Sequence, residues 1–468
     1  NRGVEAAAAP ICLFLDDDVT LEPAALRGHL AAQERTGGAI VTGQVERTAA
    51  DPGFPAFAAA ERRDQRSHGR AERPPPPAEC FAGNTSFPTR AFREAGGFNS
   101  ALARGTDMDF AWRLRAAGLP GLYEEAAVAR QHFRTTTARC LREAEAQGRA
   151  EVELWRRYAE TLPVLAIGRV ATLQPAAVEV FRLAVRFPLP MVLFRLAGRL
   201  PLQRRGAHTL FRAMQLYWRL RGARAALADP ATWDALTTGV RILCYHSVTE
   251  EKAESRWVLS KDTFAAQVAW LRTSGVNVIP LSEYVAGRAR GEVFPRFTVV
   301  LTFDDGLCAA ETIVRPMLAQ AGFTATIFAL SDPPGPDDPR PKLSGPELRS
   351  LIAAGFEVGA HSRRHPRLGP LRDAELHDEV TGSRAILSRE LGCAVDTFAY
   401  PFGEFDARSR DAVIAAGYSA ACAVGERVAG PASDMMALPR LEVRGPCSLR
   451  RFKLLLRLGR GFWHVPFI

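Results

Sequence analysis

Residues 297–306 read FTVVLTFDDG, an apolar run that ends in two adjacent aspartates. The length and β-branched composition of the run predict a buried strand. Similar runs occur on both sides of it, at Arg241–Tyr245, Thr324–Leu330 and Phe356–Ala360. Between them lie patterns typical of helices, at Lys261–Ser274, Ala309–Gly322 and Gly345–Gly355. Alternating strands and helices favour a parallel sheet or barrel, so residues 236–468 are predicted to form one α/β domain.

The acidic end of this strand and a later histidine pair together indicate a metal site. Two adjacent carboxylates at a strand end are unfavourable unless a cation or a proton separates them, so one aspartate can bind a metal while its neighbour stays free as a base. Residues 361–365 read HSRRH. Histidines four apart can share one helical face, as metal ligands often do. One aspartate and two histidines suit a zinc-like ion with open positions for water and substrate.

These motifs resemble those of the polysaccharide deacetylase (NodB homology) family, carbohydrate esterase family 4. TFDDG at 302–306 matches the first motif of the family, and HSRRH matches the second, in the same order. FAYPFG at 398–403 is similar to the third, and residues 321–330 and 343–361 resemble the family's flanking segments. The resemblance implies a distorted (β/α) barrel that removes N-acetyl groups from an N-acetylated polysaccharide or oligosaccharide.

The resemblance also implies a role for each matched residue. Asp304 would be the general base, and Asp305, His361 and His365 would bind a divalent metal, with zinc expected. A backbone N–H of the third motif, that of Phe402, would contact the oxyanion. The third motif supplies the predicted substrate contacts, which are Tyr400, Pro401 and Phe402.

The general acid departs from the common family pattern, which has a late Leu-x-His motif. No histidine follows Gly403 until His464, close to the end of the sequence. Tyr245-His246-Ser247 instead follows the RILCY run, as in a circularly permuted subgroup of the family, the bacterial poly-N-acetylglucosamine deacetylase type. The resemblance to that subgroup makes His246 the predicted acid; a structural histidine at a strand end is the alternative.

A second departure is Ala399, where the third motif usually has an arginine that holds the base aspartate. Arg440, within LPRLEV at 438–443, could replace that arginine and is counted among the predicted catalytic residues. The alternative for Arg440 is a surface salt bridge.

A separate acidic pattern lies near the start of the sequence. Ile11–Leu15 (ICLFL) ends in Asp16-Asp17-Asp18, which predicts a buried parallel strand with acids at its carboxyl end. Ligands of open α/β sheets bind at that edge, and carboxylates there suit Mg²⁺ or Mn²⁺ bound to a nucleotide diphosphate. Acidic turns are also common without any ligand.

The surrounding residues resemble glycosyltransferase family 2, through segments 1–9, 13–19, 82–98 and 105–114 in that order. The resemblance implies a truncated GT-A-like α/β domain at residues 1–155, whose first strands would precede Asn1, acting on a nucleotide sugar. Asp16 and Asp18 would position the metal and phosphates. Asp107 would be the base of an inverting transfer, with Asp109 as the other candidate.

Two further residues of this part are candidate contacts. Asn84 is predicted to touch the substrate. His132 is either a metal or phosphate contact or a buried structural histidine. Residues 70–77 are charged and proline-rich, which predicts a loop.

Residues 156–235 form a basic, helical zone in which arginines greatly outnumber acids. A basic amphipathic helix on an anionic membrane is one interpretation, and a helical linker packed on the first domain is the other. No charge-free apolar run in this zone is long enough to span a bilayer.

Composition narrows the function classes. The chain is 47% hydrophobic and 24% charged, as globular enzymes are. Its net charge of +9 either aids solubility or attracts phosphates. Nucleic acid is not an expected partner, because basic residues are not interleaved with aromatic ones in any patch. The 8 cysteines form no CxxC pair, which fits a reducing compartment.

Together the two resemblances predict a bifunctional enzyme of polysaccharide assembly that adds sugars and removes acetyl groups. Because sugar nucleotides are cytosolic, a cytoplasmic location is expected, with a peripheral position at the inner face of the membrane as an option. One alternative is that the first part is a non-catalytic module that docks the deacetylase on a saccharide or membrane. Another is that the second part is an O-acetyl esterase.

Overall fold

The computed structural model describes residues 1–460 except 50–52, 68–82, 103, 134, 174, 188, 202, 204–205, 252–254 and 334–339. Contacts within the chain divide it into two compact units. The first unit comprises residues 1–158, 164–167 and 181–228, and the second comprises 159–163, 168–180 and 229–468. The predicted linker at 156–235 therefore contributes segments to both units, and most of it belongs to the first. The predicted loop at 70–77 lies outside the described residues.

The first unit is built on a mixed five-stranded sheet with the strand order β1-β4-β3-β5-β2. Its strands are β1 (Ile11–Leu15), β2 (Val19–Leu21), β3 (Ile40–Ala49), β4 (Asn84–Pro88) and β5 (Gly121–Phe133). Its first helices are α1 (Arg2–Glu5), α2 (Ala25–Thr36), α3 (Phe54–Ser67), α4 (Thr89–Glu94), α5 (Thr106–Ala116) and α6 (Thr137–Arg157). Further along the chain follow α7 (Ala166–Arg169), α8 (Pro175–Ala184), α9 (Met191–Ala197) and α10 (Ala207–Ala226).

The structure corrects one expectation for this sheet. β1 is not a buried parallel strand: it lies at an edge of the sheet, is half-buried, and runs antiparallel to β4, its partner among the described strands. A short apolar run has the same sequence pattern in a central strand and in an edge strand. The pattern therefore decides neither which strands pair with it nor how deeply it is buried. After β2 the chain forms α2, which ends at Gly37 with a φ of 65°, a conformation that glycine adopts without strain.

The second unit is a closed parallel barrel flanked by helices. Its strands are β6 (Arg241–Tyr245), β7 (Ser247–Thr249), β8 (Val258–Ser260), β9 (Asn277–Val278), β10 (Thr298–Phe303), β11 (Thr326–Ala329), β12 (Glu357–Ala360), β13 (Thr397–Ala399), β14 (Ala420–Val424) and β15 (Leu438–Glu442). Its helices are α11 (Pro230–Thr238), α12 (Lys261–Thr273), α13 (Leu281–Ala289), α14 (Arg315–Ala321), α15 (Gly345–Ala353), α16 (Asp373–His377), α17 (Ser383–Leu391), α18 (Ala407–Ala415) and α19 (Leu449–Leu458).

Closure of the barrel follows from the pairing of β10. This strand pairs in parallel with β6 on one side and with β11 on the other, and the order β11-β12-β13-β14-β15-β6 connects the two. Seven parallel strands therefore form the ring, and β9 adds to β10 outside it. β10 is buried along its whole length, as a strand covered on both faces must be. The predicted strands and helices of this part are confirmed, and their ends agree within two residues, except that α14 begins at Arg315, after a π-helical turn at Ala310–Val314.

The middle of the chain is helical, as predicted. In the described part of the chain no helix is both long enough and apolar enough to cross a membrane.

Candidate metal centre

The carboxyl ends of the barrel strands bring together residues that are far apart in sequence. His246 directly follows β6, while Asp304 and Asp305 directly follow β10. His361 follows β12 and Tyr400 follows β13. Parallel strands of a barrel all end on one rim, and barrel enzymes place their chemistry there. The barrel therefore gathers the residues of all three sequence motifs at one rim.

Asp305, His361 and His365 form a compact cluster whose ligand atoms lie within 4.8 Å of one another. Asp305 Oδ1 lies 3.7 Å from His361 Nε2 and 3.5 Å from His365 Nε2. Burial and the neighbouring His361 lower the pKa of His365 to about 4. The His365 ring is therefore neutral at neutral pH, which is the form that offers a lone pair to a metal.

The orientation of His361 is fixed from behind. Its Nδ1 lies 2.7 Å from the carbonyl oxygen of Ala399. A carbonyl oxygen can only accept, so Nδ1 carries a proton, which leaves Nε2 as the nitrogen that can bind a metal. Metal-ligating histidines usually have such a carbonyl or carboxylate behind them.

The segment 361–365 is a loop, so the prediction that its two histidines share a helical face is wrong. Ser362 and His365 have φ values of 63° and 67°, in the left-handed region that a helix does not use. The N–H of Arg363 donates to the buried Glu379 at 2.8 Å, which holds the loop. The loop brings the two imidazole centroids to 4.8 Å from each other. Proximity here comes from a strained turn and not from helical periodicity.

Asp304 is paired with Arg440 inside the barrel. The two guanidinium NH groups donate to the two carboxylate oxygens at 2.6 and 2.7 Å, and the side chains are 0% and 5% exposed. The alternative of a surface salt bridge for Arg440 is thereby excluded. Burial alone would raise the pKa of Asp304, but the charge and hydrogen bonds of Arg440 outweigh it and hold the pKa well below its usual range. Asp304 is therefore ionised at neutral pH.

His246 lies at the same rim, beside Asp304. The ligand atoms of Cys244, His246 and Asp304 are within 4.8 Å of one another, and the ring of Trp257 packs 4.7 Å from the imidazole. Among the described residues Nδ1 of His246 is buried with no hydrogen-bond partner. Burial lowers the pKa of His246, against the opposing charges of Asp304 and Asp305. His246 therefore lies at the rim beside Asp304, and its role as the acid stays a prediction.

Sequence reasoning missed three neighbours of these residues. The thiol of Cys244 donates to Asp304 Oδ2 at 3.3 Å, and burial raises the pKa of this thiol, which keeps it a donor. Arg340 donates to Asp305 Oδ2 at 3.2 Å. Trp257 packs on His246. Cys244 belongs to a strand that the sequence predicts, so the alternation of side chains along that strand could have identified it as a neighbour of the site. Arg340 and Trp257 lie in segments without a motif, so no sequence pattern pointed to them.

The third motif divides into buried and exposed residues. Tyr400 is fully buried and its hydroxyl donates to the carbonyl of Met436 at 2.9 Å, and Pro401 is buried as well. These two predicted substrate contacts are therefore corrected: they support the rim from within the core. Phe402 is 51% exposed, has a φ of 61°, and places its ring centroid 4.5 Å from that of His365. Of the three, Phe402 is the residue that a ligand at the cluster could touch.

The acidic residues predicted for the first unit lie near one another. Burial raises the pKa of Asp16, and the charges of Asp18 and Asp107 raise it further while Arg47 opposes them. Asp18 accepts a hydrogen bond from Gln131 at 2.7 Å. Within the described part of the chain, however, the clusters tight enough to hold a metal ion do not include these aspartates.

The predicted substrate contact Asn84 is buried in the first unit. Its side-chain amide donates to the carbonyls of Gln44 and Ala127, and its oxygen lies 2.9 Å from His29 Nε2. These contacts satisfy the amide and tie three segments of the unit together, so Asn84 supports the fold and is not exposed to a ligand.

The remaining candidates of this unit differ in how they are placed. Asp109 is fully buried, ion-paired with Arg113 at 2.8 Å and hydrogen-bonded by Tyr158 at 3.0 Å, so its role is structural. His132 lies on β5 opposite Thr48 of β3. The side chain of His132 lies outside the described residues, and its assignment stays a prediction.

A divalent cation fits the cluster of Asp305, His361 and His365 by the chemistry of its donors. One carboxylate and two imidazoles are ligands that zinc favours, and three protein ligands leave positions open for water and substrate. The carbonyl behind His361 provides the outer contact that such sites have. The first-unit aspartates offer only hard oxygen ligands, which suit Mg²⁺ or Mn²⁺.

Comparison with known proteins finds relatives that match parts of this chain. Bacillus subtilis YxkH is 23% identical over 202 residues, which cover 43% of this chain and 70% of the relative. A chitooligosaccharide deacetylase of Bradyrhizobium is 38% identical over 115 residues, 24% of this chain and 47% of the relative. The poly-β-1,6-N-acetyl-D-glucosamine N-deacetylase of Escherichia coli is 32% identical over 81 residues, 17% of this chain and 12% of the relative. Residues 292–421 match the family model described as polysaccharide deacetylase, and the second unit therefore contains a polysaccharide deacetylase domain.

Proposed function

We propose that the second unit is a divalent-metal-dependent hydrolase that removes N-acetyl groups from glycans containing N-acetylhexosamine. The observation that carries the proposal is the cluster of Asp305, His361 and His365 with the ionised Asp304 beside it. Two of the relatives are named for deacetylating chitooligosaccharide and poly-β-1,6-N-acetylglucosamine, so N-acetylglucosamine glycans are the proposed substrates.

The metal that the three ligands would hold, proposed to be zinc, supplies Lewis acidity, which lowers the pKa of water and polarises the acetyl carbonyl. Asp304 takes the proton of the attacking water. Its low pKa makes it a weak base, but it also keeps the carboxylate ionised throughout the working pH range. Arg440 is a positioning residue, because it touches Asp304 and orients both of its oxygens.

Cleavage of the C–N bond needs a proton on the leaving amine. The water oxygen bonds to the acetyl carbon, the C–N bond breaks, and acetate and a free amine result. His246, within 4.8 Å of Asp304, is the proposed donor of that proton, and the proton that Asp304 takes from the water replaces it. The exposed ring of Phe402 would contact the sugar or its acetyl group, and the backbone N–H of the same residue would contact the oxyanion.

Acetate release from N-acetylglucosamine oligomers tests this function. We expect wild-type protein to release acetate, to lose this activity in a chelator, and to regain it with added zinc. Asp304→Asn should abolish release, while Asp434→Asn, a partly exposed carboxylate paired with Arg410, should not. Release that is insensitive to chelator would contradict the proposal. Faster release from O-acetylated glycans would instead favour the esterase alternative.

For the first unit we propose, as a second candidate, inverting transfer from a nucleotide sugar. The supporting observation is the proximity of Asp18 and Asp107 to Asp16, whose pKa is raised by burial and further by the charges of these two aspartates. Their oxygens would hold Mg²⁺ or Mn²⁺ with the donor phosphates, and Asp107 would act as base. Because sugar nucleotides are cytosolic, this activity would place the protein in the cytoplasm.

Sugar transfer by the full-length protein tests this second candidate. Loss of transfer in Asp107→Asn, with deacetylation unchanged, would support it. Transfer that is unchanged by this substitution would favour a non-catalytic docking module instead.

A further inference from the structure

The first unit presents a run of large apolar side chains to solvent within residues 183–196. Phe187 is 65% exposed and Leu196 is 56% exposed. The members of this apolar surface are Leu183, Phe187, Leu189, Val192, Leu193 and Leu196. Single exposed apolar side chains are ordinary, but so many in one short segment form a patch of the kind that marks an interaction site.

The backbone that carries this surface is anchored, so the exposure is not a consequence of loose packing. Phe194 of α9 is buried, with its ring 5.2 Å from that of Tyr217 and 5.5 Å from that of Trp218 on α10. The hydroxyl of Tyr217 donates to the carbonyl of Phe187 at 3.0 Å and accepts from the N–H of Leu189 at 3.1 Å. The segment is therefore fixed on α10 by its main chain while its other side chains project outward.

The charge around the surface has one sign. Residues 181–228 contain no aspartate and no glutamate. Arg186, Arg195 and Arg199 are exposed, and within the described residues no acidic side chain pairs with them. Unpaired guanidinium groups beside an apolar patch complement a surface that is apolar inside and anionic at its boundary.

We propose that this surface docks the protein on an anionic lipid bilayer. The apolar side chains would enter the boundary between head groups and acyl chains, and the three arginines would contact the lipid phosphates. Neither signal alone gives stable anchoring, but apolar burial and a basic patch together do. The proposal does not depend on the deacetylase site, which belongs to the other unit.

Co-sedimentation of the whole protein with vesicles tests the proposal. We expect binding to vesicles of phosphatidylcholine and phosphatidylglycerol in equal parts, weaker binding to phosphatidylcholine alone, and release at high salt. The triple variant Phe187→Ser/Leu193→Ser/Leu196→Ser should bind the anionic vesicles at least about tenfold more weakly. The matched control Leu26→Ser/Leu30→Ser removes two leucines of similar exposure from α2 and should bind as wild type does.

Further outcomes decide the case if the triple variant is unstable. Arg195→Glu/Arg199→Glu leaves the apolar side chains in place and should abolish binding to the anionic vesicles. Circular dichroism and deacetylase activity, which should be unchanged in both variants, show that the protein is folded. Absent binding of the wild type, or binding of either folded variant as tight as that of the wild type, would overturn the proposal. A wild-type dimer that the triple variant fails to form would also overturn it, because a second copy of the chain would then cover the apolar surface.

Discussion

Arg440→Met removes the guanidinium that donates two hydrogen bonds to Asp304 while keeping much of the volume of the side chain. In the wild type both guanidinium NH groups donate to the carboxylate, and NH1 also reaches Thr302 Oγ1 at 3.1 Å. Both partners of the pair are almost completely buried. The substitution therefore leaves a buried carboxylate without its counter-ion.

The expected loss of stability is large. Removing one partner of a buried ion pair typically costs about 3–5 kcal/mol in the free energy of unfolding, because the remaining charge is desolvated and uncompensated. The same burial, no longer opposed by Arg440, should raise the pKa of Asp304 above its unfolded value of about 3.9. Arg440→Lys keeps the positive charge but loses the two-pronged hydrogen bonding. Its free energy of unfolding should therefore lie between those of the wild type and Arg440→Met.

The pH dependence has a definite sign. In the wild type the folded pKa of Asp304 is depressed, so the pair contributes stability above pH about 4 and loses it as pH falls through the lower folded value. In Arg440→Met the folded pKa is raised, so the penalty is present at neutral pH and disappears as the carboxyl is protonated. The difference in stability between the two metal-free proteins should therefore shrink as the pH falls from 7 to about 4.

Urea unfolding and the pH profile of kcat/KM for acetate release measure both effects. Because Asp304 must be ionised to accept a proton, the acid limb of the profile should move to higher pH in the variant. Arg410→Met breaks a partly exposed arginine–carboxylate pair, with Asp434, and serves as control: it should cost at most about 1 kcal/mol and leave the profile unchanged. Superimposable profiles for wild type and Arg440→Met would refute the positioning role.

Three other substitutions test the roles proposed for His246, His365 and Cys244. His246→Ala should lower kcat by about 10²- to 10⁴-fold with little change in KM, and an unchanged kcat would exclude it as the acid. His365→Ala should weaken zinc binding, measured by competition with a chelating dye, by at least about 100-fold; equal affinity would remove it from the ligand set. Cys244→Ala should reduce turnover only a few-fold, since Arg440 already donates to both oxygens of Asp304, and a loss as large as that of Asp304→Asn would show that the thiol is required.

The sequence predicts the barrel well where strands are long and uniformly apolar. β10 and β6 are buried at every position, and such runs carry a clear signal. β13 has only three residues, and β15 contains both a proline and the buried Arg440, so neither has the composition of a strand. The place of these two strands in the ring is decided by closure of the barrel. Closure is a property of the whole domain and cannot be read from a short stretch of sequence.

The residues of the Asp305, His361 and His365 cluster are named by motif and resemblance, but their geometry was not predictable. The spacing of the two histidines suggests a helix, whereas the loop depends on the positive φ of Ser362 and on a contact with Glu379, more than ten residues away. The burial of Tyr400 likewise depends on Met436, which no motif connects with it. Contacts between residues far apart in sequence decide the loop conformation and the burial of Tyr400. A local sequence pattern contains no information on such contacts.

Anomalous X-ray diffraction at the zinc edge, from crystals grown with zinc, tests the central claim most directly. We expect one strong peak bound by Asp305, His361 and His365 at about 2.0–2.2 Å, with Asp304 beside it but not bound to it. A peak held instead by Cys244 and His246, or no ordered zinc at the rim of the barrel, would contradict the proposed metal centre and the hydrolytic mechanism built on it.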